Sequence, residues 1–78
     1  MPQSYKNNYL RKNNNIQDED LKFLNWMDKI EVYVKEKINV YLLDLQDEMY
    51  RYNFESGMKY RQMAKLIIKN YHNIYNNQ

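Results

Sequence analysis

Between Phe23 and Ile38 the chain repeats an apolar residue every three or four positions: Phe23, Met27, Ile30, Val34 and Ile38. On a polypeptide with 3.6 residues per turn these fall on one face, so the segment DEDLKFLNWMDKIEVYVKEKINVYLL can bury a stripe only as an α-helix. Trp26, Tyr33 and Tyr41 border that stripe. The acids Asp18, Glu19 and Asp20 precede it, where the positive end of a helix favours negative charge, and either Asp18 or Asp20 suits the N-cap. Glu31 and Lys35 have the spacing of a helical ion pair. The β-branched run through Val32, Val34, Ile38 and Val40 leaves a short strand open at the far end.

Two further helices follow from punctuation. Asp44 and Asp47 bracket a turn, with Asp47 suited to cap a short helix carrying Met49, Tyr50, Tyr52 and Phe54. Gly57, the single glycine, falls where a helix commonly ends in a left-handed residue. Beyond it, Tyr60, Met63, Ala64, Ile67, Tyr71 and Ile74 restore helical spacing. The expected fold is all-α, a single domain over residues 18 to 78 with three helices at 19–41, 47–56 and 59–75, the long first helix lying against a helical hairpin. Residues 1 to 17 lack apolar periodicity and contain the Asn13 to Asn15 run, so they are expected to form a disordered basic arm.

That pattern resembles a group of small, uncharacterised helical proteins of phages, other large DNA viruses and some bacteria. The shared features are a Trp in the first helix, an L-x-D-L-P-D turn, an aromatic-Glu-x-Gly corner and a small residue on the inner face of the last helix. Here the matching residues are Trp26, Leu42 to Asp47, Tyr50, Phe54-Glu55, Gly57 and Met63-Ala64, with Gln46 in place of the usual Pro and Met58-Lys59-Tyr60 in place of Ser-Pro-Glu. The resemblance implies a compact helical fold and no assigned reaction.

Composition narrows the chemistry. With 78 residues, no cysteine and one histidine, the chain lacks thiolate metal sites and His pairs, and small single cores gain from a partner. Neither a signal peptide nor an apolar run of about 20 residues is present, so the expected location is cytoplasm, or virion and host cytoplasm, without a membrane. Asp44, Asp47 and Glu48 lack calcium-loop spacing and suit turn duty better than catalysis. His72, near the end of the last helix, suits that helix's negative end. No catalytic residue, metal or cofactor is assigned, and an enzyme is not expected.

The net charge of +2 conceals an ordered distribution. All ten acids lie between Asp18 and Glu55, whereas the arm carries Lys6, Arg11 and Lys12, and the last segment carries Lys59, Arg61, Lys65 and Lys69. Arg61, Lys65 and Lys69 stand at successive i, i+4 positions on one helical face. Such a row is first a solvated face, then a contact for an acidic protein segment, in cis or in another copy, and third a track for nucleic-acid phosphates joined by the arm. The nine tyrosines exceed what three short helices bury, so Tyr33, Tyr41, Tyr52, Tyr60, Tyr71 and Tyr75 are candidates for an interface. The expected function is a non-catalytic protein-interaction or structural module, self-associating as a homodimer or docking a larger protein. The alternative is a small nucleic-acid-binding or packaging accessory protein.

Overall fold

A computed structural model describes residues 4–76, with side chains through residue 74. Four helices appear in chain order: α1 Tyr5–Lys12, α2 Asp18–Ile38, α3 Tyr50–Glu55 and α4 Tyr60–Asn76, with one 3-10 turn at Leu42–Asp44. No strand occurs among the described residues, so the β-branched end of the long helix is helical through Ile38. That helix stops at Asn39, whose left-handed backbone (φ 57°) turns its N–H onto the carbonyl of Lys35 at 2.9 Å. Asparagine tolerates this conformation better than a β-branched residue would, which is why the helix ends three residues before the expected position 41.

The N-terminal boundary also departs from expectation. Gln17 is the N-cap of α2, and Asp20 serves from inside the first turn, accepting the Gln17 N–H at 3.1 Å. Asp47 likewise caps no helix: its carboxylate takes the N–H of Met49 at 3.2 Å, and Met49 itself is the N-cap of α3. Gly57 behaves as its position predicts, with φ at 90°. The Gly57 N–H meets the Phe54 carbonyl and the Met58 N–H meets the Asn53 carbonyl, both at 3.1 Å, a paired bond pattern that closes the end of α3.

Helix α2 is the hub, and α1, α3 and α4 each pack on it, α4 most extensively. The core is Phe23, Leu24, Met27, Ile30 and Val34 of α2, Leu42 of the 3-10 turn, Tyr50 of α3, and Met63, Ala64 and Ile67 of α4. Ala64, fully buried, presents little bulk between α4 and α2. Trp26 stays half-buried, its indole N–H donating to the Met58 carbonyl at 3.0 Å and its ring 5.3 Å from that of Phe54. Tyr60 receives Lys29 over its ring, and Tyr33 and Lys37 lie beside Lys65 and Lys69. Residue numbers therefore climb together along α2 and α4, so the two helices run in the same sense.

The expectation of a disordered arm is corrected over residues 4–12, whereas residues 13–17 form no helix or strand. Residues 5 to 12 form α1, begun by the Ser4 hydroxyl accepting the Asn7 N–H at 3.1 Å. An eight-residue helix is marginal alone, and tertiary contacts stabilise this one. The Tyr5 ring sits edge-on to Phe23 and Tyr50 at centroid distances of 6.2 and 5.8 Å. Tyr5, Tyr9 and Leu10 rest on the core, and Lys6 donates to Asn25 at 2.8 Å. Met1 to Gln3 lie outside the described residues.

Candidate functional site

The α2/α4 pair has two edges. One is closed by α1, the 3-10 turn and the segment leading to α3. Its centre is Glu31, a buried carboxylate: one oxygen accepts the Tyr5 N–H at 3.0 Å and the other accepts the Leu42 N–H at 2.9 Å. Those donors open α1 and the 3-10 turn, where backbone N–H groups lack partners of their own. Lys35, expected to pair with Glu31, instead bonds Asn39 and lies over the Tyr41 ring. On the same edge Glu48 accepts from Asn70 of α4 at 2.8 Å. Burial pushes the Tyr50 hydroxyl well above its ordinary value, with the charges of Glu48 and Asp47 adding to the shift.

The opposite edge is open. Glu31 and Tyr33 are two residues apart and so about 160° apart around α2, which puts Tyr33 on the flank facing away from α1. A seam runs along that flank from Trp26 and Met58, past Lys29 and Tyr60, to a groove of about 410 Å³ lined by Tyr33, Lys37, Ile38, Lys65, Ile68, Lys69 and His72. Tyr60 and Tyr33 form its shared walls. Two rows of i, i+4 residues face each other across it: Lys29, Tyr33, Lys37 on α2 and Arg61, Lys65, Lys69 on α4. Glu36 is the carboxylate among these lining residues. Among the described residues the ion pairs are those of Arg51 with Asp20 (3.0 Å) and Glu55 (3.3 Å), so none neutralises a lysine of the seam.

The structure thus gathers Arg61, Lys65 and Lys69 into one face and separates them from the arm. Lys6 is engaged with Asn25, and Arg11 and Lys12 are exposed in the last turn of α1, where they complement its negative end. The α2 row escaped sequence reasoning, although Lys29, Tyr33 and Lys37 have the same spacing as the row on α4. Spacing alone does not say that two helices run in the same sense. His72 stands on the groove rim, its ring edge-on to Tyr71 at 5.9 Å.

The candidate interface tyrosines divide. Tyr52 is exposed, at 66% of its surface, whereas Tyr33, Tyr41, Tyr60 and Tyr71 are half-buried. Lys37, Lys35 and Lys29 lie over the rings of Tyr33, Tyr41 and Tyr60 at 5.7, 4.7 and 5.7 Å, and Arg61 shares the Tyr60 ring at 5.7 Å. Cations of the chain itself therefore cover much of the aromatic surplus. Tyr75 lies outside the described side chains. Asp44 and Asp47 are exposed on the turn, and no group of three His, Asp or Glu residues placed to hold a metal occurs among the described residues. Among the described residues no helix is long and apolar enough to cross a membrane. Compared with family models, curated proteins and solved structures, the chain matches none.

Proposed function

We propose that this chain is a non-catalytic interaction module whose α2/α4 seam docks an acidic, partly apolar protein surface. The observation that carries this reading is the pairing of an apolar floor, Tyr33, Ile38 and Ile68, with a rim of Lys37, Lys65 and Lys69 that no carboxylate among the described residues neutralises. Nucleic acid is the second reading, and the cation coverage of Tyr33 and Tyr60 counts against it. Bases stack on free ring faces, and these faces already hold Lys37, Lys29 and Arg61. Membership among the small helical proteins of phages and large DNA viruses, with a cytoplasmic or virion location, is part of the same proposal. It is supported by the way the motif residues converge: Trp26 meets Phe54 and the carbonyl following Gly57.

Fluorescence anisotropy tests the reading with two labelled probes of equal charge, an amphipathic Glu/Leu peptide and an oligothymidylate. At low salt the peptide is expected to bind more tightly, and Lys65→Ala with Lys69→Ala to weaken it about tenfold, since two rim contacts of up to about 1 kcal/mol each suffice for that factor. Tighter binding of the oligonucleotide would replace this reading with the second one. Absence of any peptide binding at low salt would remove it.

A further inference from the structure

We infer that the occupant of the seam is the turn at residues 43–49 of a second copy of this chain, so that copies associate through unlike surfaces. The inference rests on the proposed docking role of the seam and names its partner. The turn offers the complementary chemistry: Asp44 and Asp47 are exposed carboxylates outside any ion pair of the described residues, and Leu43 and Met49 beside them are apolar yet 41% and 63% exposed. Leu43 and Met49 supply apolar groups for the floor formed by Tyr33, Ile38 and Ile68, while the two carboxylates face the lysine rim.

The turn cannot reach the groove of its own chain. Glu48 fastens it to α4 at Asn70, whereas the groove meets α4 at Ile68. Two residues apart on a helix means about 160° apart around the axis, so donor and acceptor stand on opposite flanks of α4. Because they do not share a face, a two-fold dimer cannot satisfy both contacts at once. Each contact instead leaves one groove and one turn open at the ends, and association continues beyond the dimer as concentration rises.

Sedimentation velocity of the full chain decides the matter. The wild-type chain is expected to gain mass with concentration and to lose it as salt is raised, since exposed charges are screened over about 8 to 10 Å near physiological ionic strength. Lys65→Glu with Lys69→Glu is expected to give a monomer, and so is Asp44→Lys with Asp47→Lys. Mixed in equal amounts, the two variants should associate again, because each then meets an oppositely charged surface. Asp47 holds the Met49 N–H, so Asp44→Lys alone serves as the milder variant, with circular dichroism confirming the helices. A monomeric wild-type chain at every concentration, association that survives both reversals, or folded variants that fail to rescue one another would each overturn the inference. A monomer that still binds the Glu/Leu peptide would overturn this inference and leave the docking role standing, whereas a monomer that binds no peptide would end both.

Discussion

Glu31 shows how much one residue can organise when its side chain is turned inward. It sits four residues after Met27 and seven after Leu24, on the edge of the apolar stripe, and that position is the sequence signal for its burial. Its carboxylate satisfies the leading N–H groups of two segments that are 26 and 11 residues distant in the chain. Glu31→Ala would leave both donors without a partner, at about 1–3 kcal/mol for each. The expected loss is about 3 kcal/mol in urea unfolding, with Glu31→Gln intermediate because its amide oxygen can serve only one donor well. An unchanged unfolding midpoint for Glu31→Ala would show that the clamp contributes nothing. Met49 is the opposite case: a methionine held at φ 57° with 63% of its surface exposed. Relief of left-handed strain, about 1–2 kcal/mol, exceeds the entropy cost of a glycine, about 0.5–1 kcal/mol. Met49→Gly should therefore raise stability by about 0.5 kcal/mol, and a lower melting temperature would contradict this.

At the scale of elements, the start of α2 joins the local helix to a distant one. Asp20 accepts from the Gln17 N–H and from Arg51 of α3, whose guanidinium also lies 5.0 Å from the Phe23 ring centroid. The backbone bond, followed by the Arg51 bond, holds the Asp20 carboxyl below its ordinary value. A depressed acid stabilises the fold above its unfolded-state value, and that contribution disappears as pH falls through the folded-state value. Asp20→Asn should thus lower the melting temperature at neutral pH, and the difference from the wild-type chain should close in the acid range below the usual carboxylate value. A gap that stays constant down to that range would exclude this ionisation as its source. Helix identity was legible from local pattern for α2 and α4, whose stripes are long enough to show the 3.6-residue period. Helix α1 was not legible, because its three apolar contacts, Tyr5, Tyr9 and Leu10, make too short a pattern and are rewarded only once Phe23, Tyr50 and Glu31 are in place. The short α3 was placed by Gly57 at its end, whereas its start, set by Met49 in a left-handed conformation, follows no preference of that residue type.

Across the whole molecule, the basic ends that the sequence sets on either side of an acidic middle do not form one surface. Helix α1 takes Lys6, Arg11 and Lys12 to one flank of α2, and α4 takes Arg61, Lys65 and Lys69 to the other, where the α2 row of Lys29 and Lys37 joins them. The acidic middle is also divided: Glu31 is buried, Asp20 is paired, Glu48 is tied to Asn70, and Asp44 and Asp47 face solvent. By itself the sequence determined the all-helical class, the central helix and its core face, the left-handed corner at Gly57 and the row on α4, because each depends on residues within a few turns of one another. Tertiary packing decided the docking of α1, the inward turn of Glu31, the cations over the tyrosines and the seam between two rows of lysines. Those features require segments distant in the chain to meet with a particular direction and rotation, and helical periodicity carries no information about either.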